Sequence, residues 1–138
     1  MSQRFDFGSL TLPGTWKTSA QLELVDSGTV VPGSSIIVRR TATDLSSPEL
    51  ALTQIIEELR LAFPALKPED HRVLRFEDGA VGVSATIRTE LGGGRTALQS
   101  HWARIDRGTL SHLSLTVDAS RAAELAQLAK IASSYRPS

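Results

Sequence analysis

Apolar and polar residues alternate from Arg4 to Leu12, with Phe5, Phe7, Leu10 and Leu12 on the apolar side, until Pro13-Gly14 interrupts the run. That period predicts a strand closed by a turn, with Trp16 just after it. A second alternating run, Ser19 to Val25, puts Ala20, Leu22 and Leu24 on one face and ends at Asp26-Ser27-Gly28. A third, Ser34 to Thr43, is entered through Pro32-Gly33 and carries the β-branched residues Ile36, Ile37 and Val38, which favour a pleated strand. The period then changes to 3.6. Ser46-Ser47-Pro48-Glu49 supplies a serine cap and a first-turn proline; with Ser46 as the cap, Glu49 occupies the capping-box position. Leu52, Ile55, Ile56, Leu59 and Phe63 form the apolar stripe of a helix that stops at Pro64.

Four closely spaced strands follow: His71 to Phe76, Ala80 to Leu91, Arg95 to Ile105 and Leu110 to Val117. Their links, Glu77-Asp78-Gly79, Gly92-Gly93-Gly94 and Asp106-Arg107-Gly108, are short enough to require antiparallel hairpins. Asp118 or Ser120 caps a last helix running from Arg121 to about Tyr135, with Leu125, Leu128, Ile131 and Tyr135 on its apolar side. The expected fold is α+β: an antiparallel sheet of about six to seven strands flanked by two helices, in one domain covering residues 1–138.

Composition narrows the function. Lysine and arginine number 15, balanced by 15 aspartates and glutamates, so no overall charge draws the chain toward nucleic acid or an anionic membrane. The absence of cysteine rules out disulfides, thiolate metal sites and cysteine nucleophiles. The start, MSQRFDFGSLTLPGTW, has no apolar core of a signal peptide, and no apolar run reaches spanning length. The expectation is a cytoplasmic protein without stable membrane insertion.

Chemistry-bearing motifs are weak. His71, His101 and His112 lie on expected strands with no helical i, i+4 pair, so a metal site would need long-range convergence. Gly82-Val83-Ser84-Ala85-Thr86 sits inside a strand and lacks the second glycine of a nucleophile elbow. Gly92-Gly93-Gly94-Arg95-Thr96 continues as a strand, unlike a phosphate loop that opens a helix. Glu57-Glu58 and Glu69-Asp70 are adjacent carboxylates, which do not converge on one face. The residues therefore point to binding, with no enzyme activity, cofactor or metal expected.

The third strand is partly apolar on both faces: Ile36 and Val38 point one way, Ser35 and Ile37 the other, and Arg39 follows on the second side. Two helices on one side of the sheet would leave part of the opposite face open. Leu22, Leu24 and Ile37 then either line a groove for an apolar helix or belong to the ordinary core. Small polar residues among aliphatics suit the groove, since serine and glutamine can hydrogen-bond where the aliphatics pack.

Three stretches resemble the DcrB-related family of small bacterial proteins: F-x-F-x-x-L-x-L-P-x-x-W (Phe5 to Trp16), S-I-I-V-R-R (Ser35 to Arg40) leading to a proline-capped helix that ends F-P-x-L, and L-Q-x-H-W followed by T-L-S-H-L-S-L-T. The resemblance implies a PsbP-like α/β/α sandwich. For a member without a signal sequence it implies an Eag-type chaperone of type VI secretion, a homodimer that holds the N-terminal transmembrane helices of an effector before loading onto the secretion spike. By position, the client-binding residues would be Leu22, Leu24, Ser35, Ile37, Gln54 and Gln99. Arg39 stands where a small residue is expected, and His101 shares the strand face of Gln99. The alternative is a general PsbP-like ligand-binding or assembly domain with no secretion role.

Overall fold

The computed structural model describes residues 2–5, 8–11, 16–18, 23–26 and 34–137. The chain enters through β1 (Ser2–Phe5) and β2 (Gly8–Thr11), which pair antiparallel with each other. The single strand expected over Arg4 to Leu12 is thus two, because Phe5 pairs back onto Gly8. Strands β3 (Trp16–Thr18), β4 (Glu23–Asp26) and β5 (Ser35–Ala42) follow. Helix α1 (Pro48–Ala62) leads to β6 (Glu69–Arg75), β7 (Val81–Gly92), β8 (Arg95–Asp106) and β9 (Thr109–Asp118). A short 3-10 turn, Ala119–Glu124, feeds α2 (Leu125–Ser133), and β10 (Arg136–Pro137) pairs with β2.

Seven strands form the main sheet in the order β3-β4-β5-β9-β8-β7-β6, and every pairing is antiparallel. After β5 the chain crosses through α1 to the far edge and returns strand by strand until β9 pairs with β5. The tight returns come from left-handed residues: Gly93 and Gly94 (φ 60° and 75°) between β7 and β8, and Arg107 and Gly108 (φ 51° and 75°) between β8 and β9. Positive φ at both central residues matches the twist of the flanking strands.

The two helices take opposite faces, as in the α/β/α sandwich that the resemblance implies, so the supposition of two helices on one side of the sheet does not apply. Helix α2 contributes Leu128, Ile131 and Ala132 to a core with Ile36, Val38, Leu98, Trp102, Leu113, Leu115, Val117 and Tyr135. Helix α1 contributes Ala51, Leu52 and Ile56 to a second core with Leu66, Val83, Ala85, Ile87 and Ala103. The sheet lies between them, an α+β sandwich.

Local chemistry adjusts the helix ends. Ser47, not Ser46, caps α1: its Oγ accepts from the Leu50 amide at 3.4 Å, and Pro48 takes the first helical position. Glu49 is therefore one place too early for a capping box; its carboxylate lies 2.9 Å from His71 Nε2 on β6 instead. The Phe63 amide closes the last turn on the Leu59 carbonyl before Pro64. The second helix is shorter than its periodicity implies, since Arg121 (φ −117°, ψ 33°) breaks the helical path and pairs with Glu124. Asp118 caps that turn, accepting from the Ser120 amide at 2.9 Å. No helix of the described residues is long and apolar enough to cross a membrane.

Candidate functional site

Side-chain parity along β5, β9 and β8 brings most of the expected binding residues to one face, the α1 side. Register pairs Ser35 with Thr116, Ile37 with Ser114 and Arg39 with His112. It pairs Thr116 with Gln99 and Ser114 with His101 on the next strand. Helix α1 packs chiefly on β7 and β8, because its crossover runs to the far edge of the sheet. The β5–β9 half of the same face lies beyond it. There Ser35, Ile37, His112 and Thr116 are half-buried and Arg39 is exposed.

Ile37 belongs to neither apolar core among the described residues, although Ile36 and Val38 on either side are wholly buried in the α2 core. Next to it the sheet carries a continuous polar row. His101 Nε2 lies 3.2 Å from Gln99 Oε1, and His101 Nδ1 lies 2.9 Å from His112 Nε2. Because the glutamine oxygen can only accept, His101 donates from Nε2; its Nδ1 is then the acceptor for the His112 Nε2 hydrogen. That leaves His112 Nδ1 as an acceptor. The Ser114 hydroxyl is 3.3 Å from both ring nitrogens.

Burial holds both rings neutral. It pushes His101 down to about 4, with the Arg39 charge adding to the effect. It pushes His112 down to about 3, reinforced by His101 and then Arg39. The rings serve as hydrogen-bonding groups on an apolar-flanked surface. Two of the three histidines do converge across the β8–β9 hairpin, but no cluster of three metal-ligating side chains occurs among the described residues.

The remaining expected residues are elsewhere. Leu22 lies outside the described residues. Register pairs Leu24 with Ile36, and it is Glu23 that pairs with Ile37. Gln54 is exposed on α1, whose inward stripe is Ala51, Leu52, Ile55, Ile56 and Leu59, so it does not join the β5–β9 surface. Sequence reasoning missed His112, Ser114 and Thr116. The alternation of T-L-S-H-L-S-L-T already put them on one face, and the turn at Arg107-Gly108 fixes their register with Gln99 and His101.

A second polar centre lies on the α2 side. Arg104, 2% exposed, reaches Asp78 at 2.8 Å and Asp106 at 2.7 Å, donates to the Tyr135 carbonyl at 3.2 Å and lies over the Phe76 ring at 4.6 Å. It ties the β6–β7 and β8–β9 turns to the C-terminal end of the chain, which makes it a structural clamp.

No protein-family model matches the chain, and no curated protein matches it. Among solved structures the chain is similar to cyanobacterial PsbP (CyanoP) from Synechocystis sp. PCC 6803, with a TM-score of 0.66 and 17% identity over 95% of this chain and 86% of that one. The fold is PsbP-like. A mutant of Mog1 has a similar structure, with a TM-score of 0.59 and 14% identity over 94% of this chain and 89% of that one. At these identities the PsbP-like likeness concerns the path of the chain, and the surface on β5 and β9 carries its own residues.

Proposed function

We propose that this PsbP-like chain is a chaperone or adaptor that holds apolar N-terminal helices of a secreted effector against the β5–β9 half of its sheet. The observation that carries the reading is Ile37, an aliphatic residue outside both cores among the described residues and set among Ser35, Ser114, Thr116, Gln99 and the histidine pair. An apolar helix laid there would bury Ile37 and gain roughly 25 cal/mol for each Å² of apolar surface removed from water. Serine, threonine, glutamine and the His112 Nδ1 acceptor would meet the small polar groups that membrane helices use against one another.

The resemblance to the DcrB-related, Eag-type proteins extends the proposal: a cytoplasmic homodimer serving type VI secretion, which delivers its client to the secretion spike. Two copies suit the load, since client helices of about 20 residues each present more apolar surface than one small sheet face covers. Arg39 at the margin gives this surface a cation that a matching client would answer with an acceptor.

Co-expression with a neighbouring gene product that bears apolar N-terminal helices tests the reading. The client's N-terminal segment copurifies with this chain and precipitates without it if the proposal holds. A client that stays soluble alone contradicts it and favours a PsbP-like ligand-binding or assembly domain with no secretion role.

A further inference from the structure

The loop after α1 and the end of β7 border an open cleft of about 570 Å³ lined in part by Phe63, Leu66, Lys67, Arg88, Thr89 and Glu90. That volume falls within the range of small-molecule sites. The cleft is at the C-terminal end of α1, away from Ile37 and the histidine pair.

Thr89, one of its lining residues, carries Oγ1, the buried side-chain polar atom that lacks a hydrogen-bond partner among the described residues. Buried hydroxyls are nearly always satisfied, so an orphan on a residue beside a cleft marks a group that a ligand would satisfy once the side chain changes rotamer. Apolar surface is supplied by Phe63, the residue just past α1, which is 42% exposed, and by Pro64 and Ala65 beside it.

Charge around the cleft is divided. Arg88 is answered by Glu69 at 3.3 Å, whereas Lys67 and Glu90 have no ion pair among the described residues. The last carbonyls of α1 place the negative end of the helix dipole on the same side. An ammonium is favoured by Glu90 and the helix end, a carboxylate by Lys67, and a hydrocarbon body by Phe63 and its neighbours Pro64 and Ala65.

We infer that this cleft binds a small zwitterion with an apolar body, of the class of the free aliphatic and aromatic amino acids. Thr89 supplies a hydrogen bond to the ligand once the hydroxyl turns into the cleft.

The test is an amide-resonance titration of the whole chain with L-phenylalanine, L-leucine and the doubly blocked N-acetyl-L-phenylalaninamide. One of the free amino acids shifts the Leu66, Lys67 and Thr89 amides saturably, and the blocked compound binds about tenfold more weakly or worse, for want of both charges. Lys67→Ala and Glu90→Gln each weaken binding, and Thr89→Val weakens it while leaving the melting temperature unchanged or raised, because the orphan hydroxyl is gone. Absence of saturable shifts with both amino acids overturns the inference. So does equal binding of the blocked compound, or undiminished affinity in Thr89→Val. Ile37→Asp leaves this titration unchanged, so failure here and failure of the chaperone proposal are separately visible.

Discussion

His101 Nδ1 and His112 Nε2 lie 2.9 Å apart on neighbouring strands, in a contact that needs at least one neutral ring to accept. Two imidazolium ions would bring two hydrogens and two like charges to one point, so protonation of both rings and this arrangement exclude each other.

The pair therefore predicts an acid-sensitive fold. Both rings titrate below their ordinary value of 6.5, at about 4 and about 3, so the unfolded chain takes up protons first as pH falls. Their contribution to stability is complete above pH 6.5 and is lost progressively as pH drops toward the folded values, at roughly 1.4 kcal/mol per pH unit for each ring. Thermal unfolding at pH 7.5 and pH 5.0 checks this: the melting temperature falls on acidification, and falls less in His112→Gln.

Arg104 predicts a large loss on truncation. It is nearly inaccessible and holds Asp78 and Asp106 together, so Arg104→Ala leaves two carboxylates without their cation and costs about 3 kcal/mol or more. Arg104→Lys recovers only part of this, because an ammonium cannot make the forked contacts to both carboxylates. Urea denaturation of the three proteins measures the order wild type, lysine, alanine.

Gly82 predicts a steric penalty. A Cβ there would stand 2.7 Å from the Ala103 carbonyl and 2.8 Å from the Phe76 ring. The backbone of β8 cannot yield as a side chain could, so Gly82→Ala destabilises by about 1–3 kcal/mol, visible as a lower urea midpoint with an unchanged slope.

Gln54 predicts the opposite outcome for binding. It is exposed on α1, away from the β5–β9 surface, so Gln54→Ala leaves client binding as in wild type, whereas Gln99→Ala weakens it by about 0.5–2 kcal/mol. A pull-down series at graded client concentration separates the two.

The elements were readable where the pattern is local. Alternation in Ser34 to Thr43 and in the last three strands matches β5 and β7 to β9 closely, β6 starts two residues before the expected His71, and Pro48 marks the start of α1. Parity alone also placed Ser35, Ile37 and Arg39 together, and Gln99 with His101. What lay beyond the pattern depends on pairing between distant segments. The choice of face for each helix follows from β9 returning to β5, and the position of Leu24 follows from the β4–β5 register, where a one-residue slip exchanges the faces. The clamp at Arg104 joins residues from two turns and the chain end, a meeting that no single stretch of sequence announces.

The most direct test of the account compares wild type and Ile37→Asp for copurification of a client carrying apolar N-terminal helices. The charge is placed on a half-buried position outside both cores, so the variant is expected to keep its circular dichroism and melting profile and to lose the client. A variant that folds normally and still retains the client at wild-type yield would contradict the claim that the β5–β9 face is the binding surface.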